Sequence, residues 1–554
     1  MTEQVPDIGY APTIPAALQR ATREFADRVF IVTPTEEMTY AQADSASRRV
    51  AKQLLAEGIG KGTHVALMDT FGTNWVVALL AITRIGALAM ALPSTYRAAE
   101  LRRGLVHGDA HALVLPRAIL GRDTVELVEA AIPEIDASST PLFLDQVPFL
   151  RGIYVSGPAS RPWVRPLPLG VTADRSGDGP VSDRLFEAAE AAVTPSDPMV
   201  CMFTSGATRE PKAVIHTHGA QVRHGWNLAR NHRTGISPTE RVFCALPFFW
   251  IGGFTYQLLG ALSVGSAVLC VERFTPSDAL DLMERARATR MVGWDSQISA
   301  VREDPSFPTR DLSTMPMFAP RSGRAADPEL RHTSLGMTET GGPHTGCPPE
   351  ESFRILPEEM RGSFGRSLPG IEHQIIDPET GAVLGDGETG EICVRGYNMM
   401  AGIYKQERAD TFDEGGWYRT GDLGTFRDGY LYYFGRRTDM IKSAGANVSP
   451  REVEAALEAL LGVQTAVVVG LPDPQRGQIV AAALVPSPGS AVSVGTITQQ
   501  VAGEVSSYKV PRLIVVLDAA ELPMLPTGKP NKVELARLLQ ERRVDVLTQA
   551  QPTS

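Results

Sequence analysis

A chain of 554 residues, 43% hydrophobic and 21% charged, carries enough apolar material for several packed domains at roughly 100 to 200 residues each. A peptide hormone, a disulfide miniprotein and a disordered tail are excluded. The 53 basic and 63 acidic residues leave a net charge of −10, so no global field draws the chain to nucleic acid or an anionic membrane, and an anionic ligand must be held by local geometry.

From the N-terminus, MTEQVPDIGYAPTIP lacks a basic stretch followed by an apolar one, so no secretory signal is expected and the chain is expected to be cytoplasmic. The five cysteines, Cys201, Cys244, Cys270, Cys347 and Cys393, are far apart without a CxxC pair, as reduced thiols would be. Thr39 and Gln42 form a capping box, Val50, Leu54 and Leu55 an apolar stripe, and Gly58 a stop, which predicts one amphipathic helix. Residues 76–92 contain Arg84 and Gly86 and fall short of the roughly 20 apolar residues that span a bilayer. They read as a buried helix followed by a strand, with no integral membrane segment. Short apolar runs at 65–68, 113–115, 199–203 and 267–271 alternate with helical stretches and predict α/β layers. Residues 156–183, rich in Ser, Gly, Pro and Asp, read as an exposed excursion. The character changes near Gly435, after an aromatic strand at 430–434. There a second unit is predicted, opening with a capping box at Ser449-Pro450-Arg451-Glu452, a helix with Val453, Ala456, Leu457 and Leu460 on one face, and strands at 466–469 and 479–485.

The sharpest chemical signal is Phe203-Thr-Ser-Gly-Ala-Thr-Arg-Glu-Pro-Lys212, an apolar strand ending in a small hydroxylated loop closed by a lysine. Gly206 lets backbone N–H groups approach an anion, the hydroxyls of Thr204, Ser205 and Thr208 donate hydrogen bonds, and Lys212 adds compact positive charge, so the loop suits phosphate. It is not the Walker pattern. The loop resembles the phosphate-binding signature of the adenylate-forming superfamily, which contains acyl-CoA synthetases. Leu335-Gly-Met-Thr338-Glu339-Thr340 is similar to that family's GMTE motif and Gly416-Trp-Tyr-Arg-Thr-Gly-Asp422 to its WYRTGD motif. Gly435-Arg436, with Ile441-Lys442-Ser-Ala-Gly445, resembles its hinge and post-hinge loop, and Pro526-Thr-Gly-Lys529 its C-terminal lysine motif.

The resemblance implies an adenylate-forming α/β fold: a large N-terminal domain of layered sheets and helices, residues 1–437, that binds AMP and the acyl group, and a small mobile α+β catalytic domain, residues 438–554. It implies two steps. A carboxylate attacks the α-phosphate of ATP to give an acyl-adenylate, and a thiol then displaces AMP. By the same resemblance Lys529 bridges the acid carboxylate and α-phosphate, Glu339 holds Mg2+, Thr338 contacts the α-phosphate, and Asp422 accepts the ribose hydroxyls with Arg436 assisting. Lys442 and the pantetheine-lining Gly445 serve the second step. The chain departs from the family at Ala207, Arg209 and Ala213 in the loop, at Leu335 where an aromatic residue usually stacks on adenine, and at Thr438, the hinge pivot.

Leu246-Pro-Phe-Phe-Trp250-Ile-Gly252-Gly253-Phe254 resembles the family's PLFHxGG segment, and Trp294 lies where relatives contribute a pocket wall. Trp250, Gly252, Gly253 and Trp294 therefore mark an apolar acyl slot, suited to a fatty, alicyclic, steroid-derived or aromatic acid. The histidines at 216, 218, 224 and 232 are spaced by two, six and eight, which presents no tetrahedral metal set on one helix face, and they read as structural or surface residues. The expected activity is an ATP-, Mg2+- and coenzyme A-dependent ligase acting on a small carboxylic acid, with a homodimer allowed. The alternatives are an acyl-AMP ligase loading a carrier protein and a nucleotide-binding relative with impaired catalysis.

Overall fold

The computed structural model describes residues 5–549 except 138–139, 159, 172–180, 205–211, 232–234, 320–326, 348–354, 444–445, 475, 491, 506–508 and 526–527. The chain divides into two compact units, residues 1–372 with 394–418 and residues 373–393 with 419–554.

The first unit is built on two sheets. One has eight strands in the order Gly402–Ile403, Lys212–Thr217, Pro198–Thr204, Leu88–Ala91, His64–Leu67, Ala112–Pro116, Gly152–Ser156 and Val164–Pro166. Pairing is parallel from Pro198–Thr204 onward and antiparallel at the Lys212–Thr217 edge. The other has five strands, Arg290–Val292, Arg241–Cys244, Ala267–Leu269, Val29–Val32 and Glu37–Thr39, parallel but for the last. Helices Ile14–Phe25, Tyr40–Ala56 and Thr73–Arg84 share one apolar core with side chains of both sheets, the layered arrangement expected.

Local signals account for the helices. Thr39 accepts from the Gln42 amide while the Gln42 side chain caps the Thr39 backbone, and the chain turns out at Gly58, φ +79°. Thr73–Arg84 is buried along nearly its whole length, and the strand Leu88–Ala91 follows it. Its Arg84 is neutralised inside by Glu190 at 2.7 Å and Asp44 at 2.8 Å. Among the described residues no helix is long and apolar enough to cross a membrane. All five cysteines are buried free thiols. One expectation is corrected: within 156–183, Val164–Pro166 joins the edge of the large sheet, and Trp163, Leu167 and Leu169 are buried. The turn-forming composition of that stretch conceals these core anchors.

Most of a four-stranded sheet, Ile371–Ile376, Gly390–Gly396, Tyr418–Arg427 and Tyr430–Arg436, the last two antiparallel, falls in the second unit. The rest of that unit is an α+β layer. Its strands run Ala446–Val448, Ile441–Ser443, Gly477–Pro486, Val463–Asp473, with Leu513–Val516 added parallel to Gly477–Pro486. Helix Pro450–Glu458 packs Val453 and Leu457 into this core. Ser449 accepts from the Glu452 amide as expected, but the reciprocal half of the capping box is replaced, because the Glu452 carboxylate pairs with Lys509.

Candidate active site

In the first unit the predicted phosphate loop connects two antiparallel strands. Pro198–Thr204 and Lys212–Thr217 pair so that Thr204 and Lys212 stand opposite each other, both half-buried, at the mouth of the loop. Ser205, Gly206 and Thr208 lie outside the described residues. Thr204 stands at the carboxyl end of its sheet strand, the end at which α/β folds bind ligands.

Thr338 and Glu339 form the tip of a short hairpin between Gly336–Met337 and Gly342–Pro343. The hairpin is shaped by its glycines. A side chain at Gly336 would meet the Gly342 backbone at 2.7 Å, and Gly341 has φ +70° with Gln221 Nε2 2.6 Å from where a Cβ would stand. The Thr340 hydroxyl donates to the Gly342 carbonyl at 2.7 Å and accepts from the Met337 amide. Three successive carbonyls of the tip are each met by a donor from another element. His216 Nε2 donates to Thr338 O at 2.7 Å, the Met400 amide to Glu339 O at 2.9 Å, and Asn398 Nδ2 to Thr340 O at 2.7 Å. The Glu339 carboxylate, half-buried, accepts from the Tyr418 hydroxyl at 3.3 Å.

The histidines serve this architecture. Burial pushes the His216 and His218 imidazoles down to about 4, so both are neutral near pH 7. His218 Nδ1 accepts from the Ile14 amide, and His224 Nε2 donates to Pro343 O while its Nδ1 accepts from the Tyr397 hydroxyl. His232 lies outside the described residues, among which no group of three metal-ligating side chains occurs. The reach of His216 to Thr338 and of Asn398 to Thr340 is not visible in the sequence. The one hint there is that His216 continues an apolar strand, a place where a polar side chain needs a partner.

The candidate acyl residues follow adjacent strands of the five-stranded sheet. Cys244 pairs in register with Val292, and the Ala245 amide bonds to Val292 O, so the segments bearing Trp250 and Trp294 leave the same sheet edge. Trp250 is half-buried against Phe249, and Trp294 is 38% exposed at the start of Asp295–Glu303. Gly252 opens a π-helix, Gly252–Leu259. Gly253 is buried with the Pro247 and Leu246 carbonyls crowding its Cβ position, so its lack of a side chain admits backbone.

In the second unit Asp422 and Arg436 are register partners on neighbouring strands. Arg436 Nε lies 2.9 Å from the buried Asp422 carboxylate, and its Nη1 donates to Thr420 O at 3.0 Å. Lys529 follows the left-handed Gly528, and the charges of Arg436 and Asp422 both act on its ammonium. Desolvation by surrounding protein lowers its pKa below the ordinary value, Arg436 lowers it further, and Asp422 opposes both. Lys442 is exposed on Ile441–Ser443 with its amide bonded to Gln478 Oε1 at 2.7 Å. Gly445 lies outside the described residues, and Thr438 is exposed in a single turn of 3-10 helix.

The family description "AMP-binding enzyme" matches residues 18–404, and "AMP-binding enzyme C-terminal domain" matches residues 452–529. The chain belongs to the AMP-binding, adenylate-forming enzymes. Its resemblance to the acyl-CoA synthetases of that superfamily is borne out, and with it the enzyme class, an AMP-forming acid–thiol ligase. YngI of Bacillus subtilis, described as a putative acyl-CoA synthetase, is 30% identical over 94% of this chain and 96% of its own length. The indoleacetate–CoA ligase of Aromatoleum aromaticum is 28% identical over 92% of this chain and 94% of its own. The fold of the AMP-binding enzymes recurs in the solved anthranilate CoA ligase AuaEII in complex with anthranoyl-AMP, with a TM-score of 0.77 at 22% identity over 96% of this chain and 98% of that one.

Proposed function

We propose that this chain joins an apolar or aromatic carboxylic acid to coenzyme A at the expense of ATP. The observation that carries the reading is the grouping of Lys529, Arg436 and the buried Asp422. Arg436 Nε lies 2.9 Å from that carboxylate, and the Lys529 ammonium is within reach of both charges, Arg436 lowering its pKa and Asp422 raising it. Such a group gains when an anion arrives, and the first step must bring two anions together.

In that step a carboxylate oxygen of the acid attacks the α-phosphorus, and the bond to the leaving pyrophosphate breaks. Lys529 pairs with the acid carboxylate and the α-phosphate, offsetting their repulsion, and Thr338 donates to the phosphate where charge builds. Asp422 accepts from the ribose hydroxyls, held in place by Arg436. Thr204, Ser205, Gly206, Thr208 and Lys212 cradle the departing pyrophosphate. The residues present suit Mg2+. Glu339 offers one oriented carboxylate without a protein cage around it among the described residues, the pattern by which Mg2+ is shared between a single acid, water and phosphate oxygens. When bound, the ion supplies neutralisation of phosphate charge.

In the second step the coenzyme A sulfur attacks the acyl carbon, the bond to AMP breaks, and the thiol proton passes to solvent. Lys442 and Gly445 serve this step, after rotation about a hinge at Thr438 that makes residues 1–437 and 438–554 the functional domains. Trp250, Gly252, Gly253 and Trp294 form the acyl wall. An apolar or ring-bearing acid is supported by these aromatic residues and by the indoleacetate named for one relative. The test is AMP release over a panel of fatty, alicyclic and aromatic acids with and without coenzyme A. Release with one ring or chain class, stimulated by coenzyme A, is expected. Thioester formation only on a carrier protein would overturn the choice of acceptor, and silence across the panel would overturn the activity.

A further inference from the structure

The strand Lys212–Thr217 begins at the phosphate loop and carries His216 four residues after Lys212. His216 is fully buried and donates Nε2–H to Thr338 O, 122 residues further along the chain, while its Nδ1 is buried without a partner among the described residues. The imidazole therefore ties the strand that leaves one phosphate-contacting segment to the backbone of another. The segment 398–404 completes the tie. Its Ala401 and Tyr404 amides bond to Ile215 O and Ala213 O, so it lies along the same strand, while Asn398 and Met400 hold the Thr340 and Glu339 carbonyls. A carbonyl stripped of its donor in this buried setting would turn toward another partner, and the turn bearing Thr338 and Glu339 would move with it.

We propose that His216 is a positioning residue for acid activation: its Nε2–H, through the Thr338 carbonyl, fixes the Thr338–Glu339 tip relative to the strand that begins at Lys212. The inference rests on the activity proposed above. It depends on the reach of one N–H, which separates it from simple packing. Counted from Cα, the Nε2 of glutamine stands the same number of bonds away as the Nε2 of histidine, whereas the Nδ2 of asparagine stops one atom short.

The experiment compares wild type with His216→Gln, His216→Asn and His216→Leu, measuring acid-dependent pyrophosphate release, the KM for the acid and the melting temperature. The Gln variant should keep kcat within about three-fold of wild type. Asn and Leu should lose about ten- to a hundred-fold, the scale of a displaced reactive group, with the KM for the acid changed less than about two-fold. If the Leu variant does not fold, the Gln and Asn pair still decides. A kcat for Asn equal to that for Gln, or a loss that follows melting temperature instead of donor reach, would overturn the role of His216. A wild-type chain that releases no pyrophosphate with any acid would remove the activity itself, an outcome read from the wild type alone.

Discussion

Gly341 is the residue at which the candidate site can be disturbed with the least chemistry, because Gly341→Ala adds one methyl group behind the turn bearing Thr338 and Glu339. Its φ of +70° is left-handed, where an L-residue with a Cβ costs about 1–2 kcal/mol. The new Cβ would stand 2.6 Å from Gln221 Nε2 and 3.1 Å from the Asn398 carbonyl. Gln221 can swing away only by giving up its bond with the Thr255 hydroxyl, a net loss of about 1 kcal/mol. The Asn398 backbone, held through its own side chain to Thr340 O, must yield by a few tenths of an ångström. The sum is about 2–3 kcal/mol of lost stability, or else a shifted turn that relieves the strain and lowers the rate of acid activation. Urea unfolding followed by tryptophan fluorescence, with pyrophosphate release on the same samples, measures both. Gln221→Ala in the same chain should recover the steric part and leave the left-handed cost, so the pair should be non-additive by about 1 kcal/mol. A Gly341→Ala variant within about 0.5 kcal/mol of wild type and equally active would refute the reasoning.

Lys529→Ala should lower acyl-adenylate formation by about 10²–10³-fold, the cost of losing a preorganised group at a developing charge, while thioester formation from supplied acyl-adenylate is largely kept. Equal losses in both half-reactions would contradict its assignment. The pH dependence has a definite sign: in the role proposed for Lys529 the ammonium acts protonated, so activity should fall as pH rises through its pKa. Because Asp422 raises that pKa and Arg436 lowers it, the basic limb should move to lower pH in Asp422→Asn and to higher pH in Arg436→Met, read from the residual rates. Limbs moving in the same direction would disprove the coupling. Leu335→Tyr should lower the KM for ATP by a few-fold, since stacking adds about 0.5–1.5 kcal/mol; an unchanged KM would show that position 335 does not face the base.

Signals that span only a few residues are legible in the sequence. Thr39 and Gln42 cap the helix Tyr40–Ala56 because both partners lie within one turn, and the run 199–203 is the strand Pro198–Thr204 because pleating involves only near neighbours. The motif residues Asp422, Arg436 and Lys529 are marked by their resemblance to a family. Their mutual influence is not, since strand register and a turn at Gly528 bring them together. The burial of Trp163, Leu167 and Leu169 is likewise hidden, because pairing with Gly152–Ser156 overrides a composition that by itself signals loop.

What the amino-acid order determined alone is thus the inventory: an α/β chain, the capped start of Tyr40–Ala56, its reduced cysteines and the motifs that mark its family. Only the tertiary structure decided which groups answer one another. Lys509 takes Glu452 from its cap across 57 residues, and His216 finds the Thr338 carbonyl across 122. A hydrogen bond is set by a few ångströms of space, and separation along the chain does not specify that distance once the backbone has folded back on itself.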